Sequence, residues 1–339
     1  MLMLLNPRLL IVVISIILNA CSASKNQETH ITGPTMGTTY NVKFVSIDAV
    51  DKLELTQQIE QSLIDINLLM STYIQDSELS RFNQWNSVKP FPMSATTLKV
   101  LNEAKRLSDM SEGMLDVTVG PLVNLWGFGP KSQPVKIPTE ALINMTKKLV
   151  GIDKLTIGPS WASKAEPALY VDLSTIAKGY AVDQLAELLG THAITNYLVE
   201  IGGEMRLSGV KASGTPWKIA IEKPETEQRA VQKIISIGTN AVATSGDYRN
   251  YYESDGVRYS HLINPNTGYP ISHNLVSVTV VHPSSMTADG LATALNVMGK
   301  DKALALAETF NIAVLLITKE KDNFTEYTSS KFEQLVTVH

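Results

Sequence analysis

Cysteine is almost absent: Cys21 is the single one in 339 residues. No intramolecular disulfide can form, and no cysteine-built zinc or iron–sulfur centre is available. Charge is sparse as well, at 18% of residues, with 33 acidic against 29 basic groups and a net charge of −4. That balance argues against a polyanion-binding surface spread over the molecule, and so against a general nucleic-acid binder, while leaving a local basic patch open, and it argues against long charge-driven disorder. Aromatic residues are only 6%, and neither an internal repeat nor a low-complexity stretch occurs. What the chain has is apolar material, 44%, enough for the core of one large or two small domains.

No apolar run reaches the roughly 20 residues a spanning helix needs. The nearest is Leu9 to Leu18 (LLIVVISIIL), preceded by Arg8 and followed by Asn19-Ala20-Cys21. Its length suits a signal-peptide core, and Leu18-Asn19-Ala20-Cys21 resembles the bacterial lipobox, in which the cysteine is lipidated and becomes the mature N-terminus. A buried strand or helix that happens to start the chain is the bland alternative. The first reading divides the chain into a signal peptide (1–20), a polar linker after lipidated Cys21 (21–32) and one compact unit of one or two lobes (33–339). It places the chain in a bacterial cell envelope, lipid-anchored on the periplasmic side of the inner membrane, where ATP is a poor candidate for a substrate.

Leu55, Ile59, Leu63, Ile66 and Met70 recur at helical spacing and predict an amphipathic helix ending near Ser71. Ser94 caps a second helix running to about Ser111, and Pro138-Thr139 opens a third that Gly151 closes. Beyond it, segments 168–173, 197–201, 217–221, 233–237, 258–263 and 275–281 predict strands, with hairpin residues at Glu253 to Gly256. Helices interrupt them at about 175–189, 284–298 and 301–309. Strands that follow strands without a crossover helix predict an α+β fold with a largely antiparallel sheet.

Three regions could carry chemistry. Ser174 to Gly179 opens a helix with hydroxyls and a lysine beside free amides, which suits a phosphate, although an ordinary capped helix start has the same look. Asp289 and Thr293 stand at i and i+4, so a carboxylate and a hydroxyl share one helix face; an oxygen pair of this kind suits Mg²⁺, while an acid favoured by the helix dipole is the plain reading. His261 ends a strand before a Pro/Gly turn, the position of a base or of a histidine that merely bonds its turn. Thr244 to Tyr248 gathers hydroxyls, a glycine and an acid into what reads as a tight turn.

Taken together, Gly33 to Tyr40, Met70 to Tyr73, Asp116 to Leu122, Asp172 to Gly179, Gly202-Gly203-Glu204, Thr244 to Tyr248, His261 to Gly268 and Thr287 to Leu295 occur in the order found in the ApbE family, which the chain resembles over about residues 33–300. The resemblance implies transfer of FMN from FAD to a Thr or Ser hydroxyl of an acceptor protein, through a phosphodiester bond and with release of AMP. The acceptor it implies is a flavin-carrying subunit of a membrane redox complex. It implies an FAD site lined by Met36, Tyr73, Met114, Leu115, Asp116, Asp172, Lys178 and Ile263. It implies Mg²⁺ held by Thr175, Asp289 and Thr293, and His261 as the base. The alternative within the same resemblance is a periplasmic FAD-binding lipoprotein that at most hydrolyses FAD to FMN and AMP. Asn264 departs from the family, where many relatives have Asp before the proline.

Overall fold

The computed structural model describes residues 27–46, 50–129, 137–225, 230–248, 250–254, 256–321 and 323–339. Residues 1–20 and Cys21 lie outside them. The linker reading is corrected at its end: residues 27–32 belong to the first strand, where Ile31 is buried and each residue pairs across a hairpin.

That hairpin is β1 (Gln27–Thr35) and β2 (Thr38–Ser46), closed by Met36 and Gly37, both at positive φ. A two-residue turn of that hand matches the twist of the strands it joins, and glycine takes the conformation freely whereas methionine does so at a cost. Then come α1 (Lys52–Met70), capped by Asp51, α2 (Glu78–Gln84), β3 (Phe91–Pro92) and α3 (Ala95–Met110), whose cap is the predicted Ser94. The buried residues of α1 are Leu55, Ile59, Leu63, Ile66 and Met70, the five that its spacing marked. After α4 (Gly120–Leu125) and α5 (Glu140–Lys147) stand two short strands, β4 (Leu155–Ile157) and β5 (Trp161–Lys164), then α6 (Ala177–Thr191).

The second half contains β6 (Asn196–Ile201), β7 (Glu204–Ser208), β8 (Ile219–Glu222), β9 (Val231–Ser236), β10 (Ala241–Gly246), β11 (Tyr251–Ser254), β12 (Val257–Ser260) and β13 (Leu275–His282). It closes with α7 (Ser285–Met298), α8 (Lys300–Thr309), β14 (Ala313–Glu320), β15 (Asn323–Thr328), α9 (Ser330–Leu335) and β16 (Thr337–Val338). No described helix is long and apolar enough to cross a membrane.

The fold is α+β, as expected. Eight strands form one sheet in the order β1-β2-β6-β7-β10-β13-β14-β15, every pair antiparallel. One face packs on α1, α3, α6, α7 and α8 through the larger apolar core. The other carries a smaller core with β8, β9 and α9. Sheet neighbours follow chain order, but insertions interrupt the sequence of pairings; besides residues 209–240 between β7 and β10, which carry β8 and β9, there are two that meet each other, residues 47–195 between β2 and β6 and residues 247–274 between β10 and β13. The insertions are tied together: Trp126 Nε1 donates to Gly268 O at 2.9 Å and Lys147 Nζ to Asn266 O at 2.9 Å.

Segment 168–173 is not the strand its apolar residues predict. Asn83 supplies what a neighbouring strand would have, its side chain donating to Val171 O and accepting from Val171 N, both at 2.8 Å, while Asp172 N donates to Val117 O at 2.7 Å. The predicted strand 258–263 ends at Ser260, where the backbone turns after His261.

Candidate active site

The two insertions and α7 enclose a cavity of about 400 Å³. Of the twelve residues expected at the FAD, metal and base positions, eleven line it: Tyr73, Met114, Leu115, Asp116, Asp172, Thr175, Lys178, His261, Ile263, Asp289 and Thr293. Met36 does not. From the β1–β2 turn it lines an adjoining apolar groove, which shares Tyr73, Ser174 and Lys178 with the cavity.

The floor is set by the crossing of α6 and α7. Asp183 on α6 caps the start of α7, accepting from Ser285 N at 2.9 Å, Met286 N at 3.0 Å and Ser284 Oγ at 2.7 Å, and Arg206 balances its charge at 2.9 Å. The approach is so close that a Cβ on Gly179 would lie 2.3 Å from Ser285 O and 2.8 Å from Asp289 Cβ. We expect Gly179→Ala to cost about 1–3 kcal/mol in stability and to displace Asp289. A thermal melt with a parallel activity assay checks this, and unchanged values in both would refute it.

This crossing also prepares oxygen atoms. Gly179 N–H would bond the carbonyl of Thr175, four residues back, in a continuing helix. It donates instead to Asp289 Oδ2 at 2.9 Å, so α6 begins at Ala177 and the Thr175 carbonyl lacks its helical partner. Asp289 sits beyond the first turn of α7, so the helix dipole does not explain it. Beside it Lys178 Nζ pairs with Glu204 Oε1 at 2.6 Å, while Glu204 Oε2 and Thr175 Oγ1 are buried without a partner. Burial opposes charge on Lys178, yet Asp289 and Glu204 outweigh it and hold the ammonium above its usual range. One lysine cannot neutralise two buried carboxylates: burial pushes Asp289 up to about 8, against the pull of Lys178 and with the push of Glu204. The Thr175 carbonyl, Asp289 and Thr293 form an oxygen-only set at one wall of a cavity, the donor chemistry that a hard cation such as Mg²⁺ takes. No cluster of three or more His, Cys, Asp or Glu suited to a metal exists among the described residues, so this set depends on backbone and hydroxyl oxygen.

His261 lines the same cavity. Its backbone N and its Nδ1 both meet Asn250 O, at 3.1 and 3.0 Å. A carbonyl only accepts, so Nδ1 carries the proton and Nε2 keeps a free lone pair. Burial pulls the imidazole below its usual pKa against the effect of the Asn250 carbonyl, and nearby Arg258 adds to the lowering. Phe128 meets the ring edge-on, 6.3 Å between centroids, at the end of a stack through Tyr252, Tyr259 and Trp126.

Other expected residues have structural duties as well. Asp116 accepts from Thr118 N and Oγ1 and from Ile152 N, which fixes the wall around Leu115. Asp172 accepts from Ser174 N and Oγ, shaping the approach to Thr175. Thr244 to Gly246 are the end of β10 rather than a tight turn, and they line the cavity. Asn264 Oδ1 accepts from Asn266 N and Thr267 N, so the amide holds the turn that an aspartate would hold. Glu204 is marked in the sequence only by the Gly-Gly-Glu motif; an acid directly after two glycines is the available signal.

The sequence profile of the ApbE family matches residues 36–316. An FAD:protein FMN transferase of Vibrio cholerae is 54% identical over 325 residues, covering 96% of this chain and 97% of its own length. One of Haemophilus influenzae is 52% identical over 314 residues, with 90% of each chain covered. Among solved structures, the flavin transferase ApbE from Vibrio cholerae superposes with a TM-score of 0.86 at 54% identity, over 91% of this chain and 99% of that one. The apo flavinyl transferase ApbE of Pseudomonas stutzeri gives 0.85 at 41% identity, over 91% and 97%.

Proposed function

The chain belongs to the ApbE family, and from that premise we propose how its cavity transfers FMN from FAD to an acceptor protein. The observation that carries the reading is His261, with Nδ1 on Asn250 O and Nε2 thereby left to accept, in the same cavity that Asp289, Thr293 and Thr175 line. A serine or threonine hydroxyl of the acceptor enters beside His261. Nε2 takes its proton as the oxygen bonds to the FMN phosphorus, the bond from that phosphorus to the bridging oxygen of AMP breaks, and AMP leaves. The product is a phosphodiester between FMN and the side chain. Asp289, Thr293 and the Thr175 carbonyl would hold Mg²⁺, which when bound supplies positive charge to the pyrophosphate oxygens. Lys178, held charged by its two acidic neighbours, adds a fixed cation on the same wall.

The test is a purified acceptor incubated with enzyme, FAD and Mg²⁺. Mass spectrometry should find one Ser or Thr peptide heavier by FMN less one water, with one AMP released per attachment. Free FMN and AMP with an unmodified acceptor would instead establish a pyrophosphatase.

The acceptor we infer is a flavin-carrying subunit of a membrane redox complex, and the enzyme's place is the periplasmic side of the inner membrane, anchored through lipidated Cys21. The lipobox-like Leu18 to Cys21 supports this. Cys21→Ser should leave full-length precursor or free the protein from the membrane fraction; a wild-type N-terminus at Met1 in cells would refute the anchor.

A further inference from the structure

His261 hangs from a single oxygen. Asn250 O accepts both its backbone amide and Nδ1, so the tautomer of the base depends on where that carbonyl stands. Asn250 lies on an insertion that leaves the main sheet after Gly246, and the last anchor before it is Asp247, whose N donates to Val276 O of β13 at 3.3 Å. The return strand β12, which leads directly into His261, carries Arg258. Its guanidinium donates through Nη2 to Asp247 O at 2.6 Å, stands 3.6 Å from Asp247 Oδ1, and lies 4.2 Å above the Tyr251 ring. Arg258 thus bolts the strand that delivers the base to the residue where the insertion departs from the sheet. Arg258 Nε and Asp247 Oδ1 are both buried without a hydrogen bond, so the clamp rests on the Nη2 bond to Asp247 O and on the 3.6 Å contact of the charges.

We propose that Arg258 is a positioning residue for His261: by clamping Asp247, three residues ahead of Asn250, it keeps the Asn250 carbonyl on Nδ1 and leaves Nε2 free to accept a proton. Its charge has the same sense, because a cation beside the imidazole disfavours the imidazolium. The other charged groups around His261 are Asp247 behind Arg258 and, on the cavity walls, Lys178, Glu204, Asp289, Asp172 and Asp116. Removing Arg258 leaves acids in the majority there, so the imidazole should then protonate at higher pH.

The inference rests on His261 as the base, and the experiment separates the two. In Arg258→Met, a nitrogen-15 NMR titration of the histidines should show the His261 imidazole titrating at higher pH and the Nδ1-protonated form losing its dominance. The rate of FMN transfer at saturating FAD should fall about ten- to a hundredfold, as loss of a partner that orients an imidazole does. The acid limb of its pH profile should move up with the NMR value, while KM for FAD stays within about twofold of wild type. Arg258→Lys, which keeps the charge, should return the limb to its wild-type position. An unmoved His261 titration and tautomer in Arg258→Met overturn the positioning role. A loss of rate that follows only a fall in melting temperature overturns it too. An NMR shift without any movement of the rate profile overturns instead the reading of His261 as the base.

Discussion

His261→Ala should lower FMN transfer by about 10² to 10⁴, the usual worth of a positioned general base, with FAD binding retained. The prediction follows from placement: the imidazole lines the cavity apart in sequence from the Asp289, Thr293 and Thr175 oxygens that would hold the cation, so its loss removes the proton acceptor and spares the other contacts that hold FAD. The pH profile carries the same signature. Because burial keeps the imidazole below its ordinary value of 6.5, the wild-type rate should hold down through neutral pH and decline only below about 6.5. Stability should move in the same direction. A histidine whose folded pKa is depressed binds fewer protons than in the unfolded chain, so folding weakens as pH falls through that window. Transfer assays over pH 5 to 8, with FAD affinity measured in parallel by fluorescence, decide the matter. A variant that flavinylates its acceptor at the wild-type rate would rule His261 out as the base.

Asp289→Asn should be nearly as severe, about 10² to 10⁴ in rate, the equivalent of several kcal/mol of lost charge stabilisation. Asparagine keeps an oxygen to accept from Gly179 N–H, so the crossing of α6 and α7 survives and the loss reports charge rather than fold. The remaining activity should require more Mg²⁺, with FAD still bound in part through the Met114 to Asp116 wall and Ile263. Wild-type turnover by this variant, or turnover by the native enzyme that a chelator leaves untouched, would remove Asp289 from the metal set.

The sequence was informative where a side chain's own chemistry dictates the structure. The apolar spacing of α1 and the Ser94 cap of α3 needed no tertiary knowledge. By contrast β1 is written in residues such as Gln27, Glu28, Thr29 and His30, which read as linker; an exposed edge strand needs little burial, and only its pairing with β2 makes it a strand. Segment 168–173 misled for the opposite reason, because Leu169, Val171 and Leu173 are buried as expected but its backbone pairs with the Asn83 side chain and with Val117 O instead of with a neighbouring strand. At the site, the family motifs and the residues the resemblance implies include most of the cavity-lining residues but not Val123, Phe128, Gly129 or Val297. They could not convey that the Thr175 carbonyl is free because Gly179 bonds elsewhere, nor that Asn250 O selects the tautomer of His261. Backbone acceptors are the same in all residues and leave no mark in the sequence.

The gap of nearly 150 residues between β2 and β6 has a kinetic side. Tyr73, Met114, Asp172 and Lys178 arrive on that insertion, whereas His261 and Asp289 come from beyond the β6 and β10 pairings, so the cavity closes only after contacts of very long sequence separation have formed. Such contacts form late, since the chain must surrender loop entropy before they reward it. A collapsed or half-folded chain therefore has no machinery with which to cleave FAD, and appearance of activity during refolding should be among the last signals to reach its native value, trailing the helical signal of α1 and α3.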